Sequence, residues 1–141
     1  MKQILFLFIF ITIISKCYSQ KVLDSIVNKG TTALGIDVLV NIFYIEDVKV
    51  ASDAEALLTG SNGVYDIYLR KNQTLEEAKI AICHELIHIY QYETKSLIKK
   101  ANGIVLWNGV NYSYNDIPYE DREWEAEAFN KGMKLFKKIR N

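Results

Sequence analysis

Only two histidines occur in the 141 residues, and they fall four apart, as His84-Glu85-Leu86-Ile87-His88. The surrounding segment reads as a helix. Thr74 with Glu77 three residues later is a capping-box start, and Ile80, Ile82, Leu86 and Ile89 carry the apolar pattern to about Glu93. At about 100° per residue the imidazoles lie about 40° apart on one side of such a helix, within reach of a single tetrahedral ion. Leu75, Ala78, Ile82, Leu86 and Ile89 gather on the roughly opposite side, so the expected core face excludes the imidazoles, and Glu77 and Gln91 give the imidazole side a polar character. Zinc is the natural ion for this pattern. Glu85, next to the first imidazole, reaches a water on the metal without ligating it and so suits the general base of a hydrolysis.

A catalytic zinc site has three protein ligands and one open position, and with no third His the remaining ligand is a carboxylate or Cys83. Cys83 precedes His84 by one residue, about 100° around the helix, and is expected to be a buried, inert thiol. The acidic run Glu120-Asp121-Arg122-Glu123-Trp124-Glu125-Ala126-Glu127 opens a final helix expected from about Asp121 to Ile139. Its inward stripe, Ala128, Phe129, Gly132, Leu135, Phe136 and Ile139, extends backwards onto Glu125, while Glu123 and Glu127 fall near the other side. A carboxylate at the mouth of an apolar stripe needs a partner to offset its desolvation, and a cation is a suitable one. Glu125 is the expected third ligand and Glu123 the alternative.

The rest of the chain limits the setting. Seventeen Lys and Arg balance seventeen Asp and Glu, which leaves no field to hold nucleic acid. Half the residues are hydrophobic and one is Pro, as in an ordinary globular domain, and two cysteines make no disulfide framework. Lys2, the apolar stretch Ile4 to Ile14 and Cys17-Tyr18-Ser19-Gln20 have the layout of a secretory leader cut after Ser19. The stretch is too short to span a bilayer comfortably, so the mature chain is expected to have no stable transmembrane span. This divides the chain into a signal peptide, 1–19, and one exported domain, 20–141, periplasmic or secreted; a lipid anchor on Cys17 is the alternative.

Within that domain a helix is expected over Val22 to Leu34, capped by Gly35, followed by strands at Ile36 to Ile45 and Val48 to Ala51. A hairpin joins Ala56 to Thr59 with Val64 to Arg70 across Gly60-Ser61-Asn62-Gly63. The alternation of Val64, Asp66 and Tyr68 against Tyr65, Ile67 and Leu69 suggests an edge strand. Trp107 to Tyr119, rich in Asn, Tyr and Gly, reads as an irregular loop, and Lys134, Lys137, Lys138 and Arg140 complement the carbonyl end of the last helix.

Taken together, His84-Glu85-x-x-His88 followed by Glu-x-x-Ala on a later helix resembles the zincin metallopeptidases, in particular the gluzincins, whose third ligand is Glu. The resemblance covers roughly Val64 to Lys138. It implies an α+β zincin-like fold: an N-terminal helix, a small, mostly antiparallel sheet with an edge strand over the active-site helix, and a C-terminal helix supplying the third ligand. It also implies a zinc-dependent hydrolase acting on a peptide or protein substrate, which pairs in extended form with the edge strand, here Val64 to Arg70. Prenyl-protein endopeptidases would favour Glu123 with Ala126, and small secreted zincins Glu125 with Ala128. In such a mechanism the oxyanion takes a donor beyond the metal, and Tyr112, Tyr114, Tyr119 and Arg122 are the candidates. A catalytically silent metal-binding or partner-binding envelope protein is the competing reading, and a lipid-anchored binding protein with an accidental His pair is a third.

Overall fold

The computed structural model describes residues 19–45 and 56–140 and has an α+β architecture. Residues 1–18 of the expected leader, Cys17 among them, and the strand expected at Val48 to Ala51 lie outside the described residues. Helix α1 covers 19–34 and buries Leu23, Ile26 and Val27. It stops because Gly35 turns left-handed at φ +66°, with the amides of Gly35 and Ile36 returning to the carbonyls of Thr32 and Thr31 as a glycine-terminated helix requires.

Two three-stranded sheets follow, rather than the single one expected. The first contains β1 (Leu39–Ile45), β2 (Ala56–Ser61) and β3 (Val64–Arg70) in the order β1-β3-β2. β2 and β3 form the expected hairpin around Asn62 and Gly63, whose φ values of 53° and 79° suit a tight two-residue turn. β3 is also paired in parallel with β1, so it is the central strand and not an edge. Its alternation reflects its two faces. Tyr65, Ile67 and Leu69 are buried, while on the other face Asn41 donates to Asp66 Oδ1 at 2.8 Å across the β1–β3 pair. A polar alternation marks a sheet with one wet face, whatever the strand's place in it. The edge strand on the hairpin side is β2.

Helix α2 (Leu75–Glu93) starts at Thr74 with the complete capping box: Thr74 Oγ1 accepts from the Glu77 amide at 3.2 Å, and Glu77 Oε2 accepts from the Thr74 amide at 2.7 Å. The second sheet, β4 (Leu97–Lys99), β5 (Ile104–Trp107) and β6 (Val110–Ser113), is antiparallel throughout. It corrects the expected loop. Asn108 and Gly109, at φ 47° and 86°, make a second two-residue turn, so much of Trp107 to Tyr119 is ordered hairpin. A 3-10 turn at Tyr119–Asp121 then leads into helix α3 (Glu123–Ile139).

The main core lies among α1, α2, α3 and the inner face of the first sheet, with Ile67, Leu69, Ile82, Leu86 and Ile89 fully enclosed. Each such side chain contributes about 1.5–3 kcal/mol by leaving water. A smaller core of Leu97, Val105, Trp107 and Trp124 fastens the second sheet to α3. Helix α3 packs through Trp124, Ala128, Gly132, Leu135, Phe136 and Ile139, but Phe129 is 62% exposed and does not belong to the inward stripe. At Gly132 an added methyl would meet the His84 amide nitrogen and Cα at 3.1 Å, so α2 and α3 approach backbone to backbone. Among the described residues no helix is long and apolar enough to cross a membrane.

Candidate metal centre

The close approach at Gly132 brings the start of α3 over the middle of α2. His84 Nε2 and His88 Nε2 lie 3.0 Å apart, and Glu125 Oε2 lies 3.2 Å from the second and 3.5 Å from the first. Three ligand atoms on a tetrahedral ion about 2.0–2.1 Å away stand about 3.3 Å apart. The donor set and its spacing therefore fit a divalent cation, and His84, His88 and Glu125 can hold one.

The electrostatics point the same way. Burial alone would raise the Glu125 carboxyl, but the His84 and His88 imidazoles against it, when protonated, hold it far below the usual carboxylate range. Burial disfavours a charged His88, yet the adjoining Glu125 carboxylate, followed by Glu85, leaves its proton affinity raised. A carboxylate and two ring nitrogens crowded within hydrogen-bond distance favour a positive charge among them.

Glu85 is only 8% exposed and lines the same cleft, which has a volume of roughly 180 Å³. Burial raises its carboxyl pKa, partly offset by the imidazoles of His88 and His84. One wall is the edge strand, through Ala56, Leu57 and Leu58, and the other is the second sheet, through Leu97, Lys99 and Val105.

The imidazole side of α2 is polar, as expected from sequence, yet much of it is enclosed. His88 is 7% exposed and Gln91 fully enclosed, because α3 covers them. Gln91 lies at the centre of a buried network. Its Oε1 is 2.8 Å from His88 Nδ1, and its amide nitrogen donates to the Trp124 carbonyl at 3.0 Å and to Glu127 Oε2 at 2.9 Å. Glu127 therefore also belongs to the site's surroundings and is not a merely solvated charge. Gln91 was legible as a residue on the imidazole side, three positions after His88, but its contact with Glu127 depends on how the two helices cross.

The other candidates separate cleanly. Glu123 takes no part in the cluster; it accepts from the Trp107 indole nitrogen at 3.0 Å. Tyr119, 58% exposed, donates to Glu125 Oε2 at 3.1 Å and borders the cleft. Tyr114 also lines the cleft, with the Arg122 guanidinium carbon 3.8 Å from its ring centre. Arg122 is occupied by the carbonyls of Ile117 and Tyr114, and the Tyr112 ring packs on Trp124. Neither lines the cleft. Cys83 is buried and outside the cluster, and burial pushes its thiol up to about 12. Lys99 and Tyr92, which line the cleft beside the cluster, were not singled out from the sequence, where nothing links them to it. No protein-family model, curated protein or solved structure matches the chain.

Proposed function

We propose that this chain is an exported zinc-dependent peptidase with a zincin-like arrangement. The observation that carries the reading is the meeting of His84, His88 and Glu125 at one point with a buried Glu85 beside them in the same cleft. A zinc ion held by that trio supplies Lewis-acid polarisation of a scissile carbonyl and lowers the pKa of a water. Glu85 takes a proton from the attacking water and later passes it to the leaving amine, and its burial favours the protonated form. The Tyr119 hydroxyl, which borders the cleft and donates to the Glu125 carboxylate, is the donor this reading assigns to a developing oxyanion.

The substrate would lie extended along β2, whose outer edge has no strand partner among the described residues and whose side chains border the cleft. This moves the substrate-pairing role from Val64–Arg70, now the central strand, to Ala56–Ser61. The test is hydrolysis of an unstructured protein substrate by zinc-loaded residues 20–141, compared with Glu85→Gln. One bound zinc per chain in both proteins, with cleavage only in the wild type, supports the reading. Cleavage that survives Glu85→Gln removes the assigned base, and zinc without cleavage in the wild type favours a silent metal-binding domain.

A further inference from the structure

Gln91 is a buried amide whose orientation is fixed by its surroundings. Its nitrogen faces two acceptors, the Trp124 carbonyl at 3.0 Å and Glu127 Oε2 at 2.9 Å, so its oxygen must be the atom that faces His88. That oxygen lies 2.8 Å from His88 Nδ1, and an oxygen acceptor there requires a proton on Nδ1. A neutral ring with its proton on Nδ1 carries its lone pair on Nε2, the atom that faces His84 and Glu125. The same amide ties α2 to α3 at Trp124 and Glu127, the residues flanking Glu125 by one and two positions. A single side chain therefore touches both the ring that must present a lone pair and the helix that must deliver the carboxylate.

We infer that Gln91, fixed by Glu127, is the positioning residue that holds His88 in its metal-ligating tautomer and sets the cation affinity of the site. This rests on the metal-binding part of the function proposed above, and not on peptide hydrolysis. Partners of this kind orient a ligating imidazole and raise its basicity, and removing them weakens metal binding by roughly 10–100-fold. Both polar atoms of the Gln91 amide are thereby hydrogen-bonded.

The test uses the whole mature chain with zinc ions as the probe. Long-range ¹⁵N couplings of the two histidines in metal-free wild type, at a pH where the rings are neutral, should place the His88 proton on Nδ1. Competition against a chromophoric chelator should show zinc binding weakened roughly 10–100-fold in Gln91→Leu. Gln91→Glu alone sets a carboxylate against Glu127 and should also bind weakly. Combined with Glu127→Gln, in which an amide donates back to that carboxylate, affinity should recover to within a few-fold of wild type. A purely structural tie between α2 and α3 would recover in the same way but would leave the His88 proton free to sit on either ring nitrogen, so the Nδ1 proton seen in the couplings is the readout that separates the two.

A proton on Nε2 in the wild type overturns the inference, as does a folded Gln91→Leu protein that binds zinc within twofold of wild type. Should Gln91→Leu fail to fold, the single and double exchange variants decide: equal affinity in the two overturns it, and recovery in the second together with the Nδ1 proton in the wild type supports it. A wild type that binds no zinc sinks the metal reading as a whole, whereas zinc bound equally with and without Gln91 sinks only the positioning role.

Discussion

Replacing Gly132 with Ala places a methyl carbon 3.1 Å from both the amide nitrogen and Cα of His84 and 3.3 Å from the carbonyl carbon of Cys83. These are backbone atoms in the middle of α2, so no change of rotamer can clear the space, and the helices must part by a few tenths of an ångström to reach ordinary contact at 3.4–4 Å. Two effects on stability oppose each other. Ala improves the intrinsic helix preference of α3 by about 1 kcal/mol, and overpacking a close helix contact costs about 1–3 kcal/mol, so the net loss is expected between about 0 and 2 kcal/mol. The metal centre has less tolerance. Glu125 rides on α3 while both imidazoles ride on α2, and the gaps between them are 3.2 and 3.5 Å. Functional groups have to be held to within about 0.5 Å of their working geometry. A parting of a few tenths of an ångström uses up most of that tolerance, so Gly132→Ala should weaken zinc binding by up to about tenfold, or about 1.4 kcal/mol, measured by chelator competition beside thermal unfolding of metal-free and zinc-loaded protein. Unchanged stability together with unchanged affinity would refute the close approach. Lower stability with wild-type affinity would show that α3 can move without carrying Glu125 with it.

Glu125→Ala should abolish stoichiometric zinc binding while Glu123→Ala retains it, since Glu123 is engaged with the Trp107 indole; zinc lost only from the Glu123 variant would reverse the ligand assignment. Thr74→Ala should lower stability by about 1 kcal/mol in denaturant titrations, as expected for removal of an N-terminal cap. The Thr74 amide and hydroxyl hold the Glu77 carboxyl below its usual value of 4.5. A depressed carboxyl stabilises fully above its unfolded value and loses that contribution as pH falls through the folded one, so the wild-type advantage over Thr74→Ala should shrink below about pH 4.5. Cys83, enclosed and with its thiol pushed up to about 12, should resist thiol reagents in native protein and react at the rate of global opening; rapid native-state labelling would contradict its burial.

Helix α2 was readable because its signals are local: a box of two residues, a helical apolar period and a histidine pair all agree over Thr74 to Glu93. The selection of Glu125 over Glu123 was readable because face continuity along α3 is also a local property. The place of β3 in its sheet was not, since strand order depends on the parallel pairing with β1, and the same wet-and-dry alternation suits an edge or a centre equally. The second sheet was missed for a different reason. Asn108-Gly109 carries the same turn signal as Asn62-Gly63, but β4 is only three residues long and the Asn and Tyr of β6 resemble loop composition. The burial of the polar imidazole side of α2 was not legible because His88, Gln91 and Glu127 satisfy one another across two helices, and polar residues that supply each other's partners can be buried where single ones cannot.

The cleft runs along the seam between two cores of unequal size. All three cluster residues stand on the helices of the larger one, while the wall formed by Leu97, Lys99 and Val105 is secured by four enclosed side chains and a few neighbours. Unequal cores open at unequal free energies. Because Trp124 belongs to the smaller core and directly precedes Glu125, a local excursion of the weaker side reaches the cluster through that carboxylate and not through the imidazoles of α2.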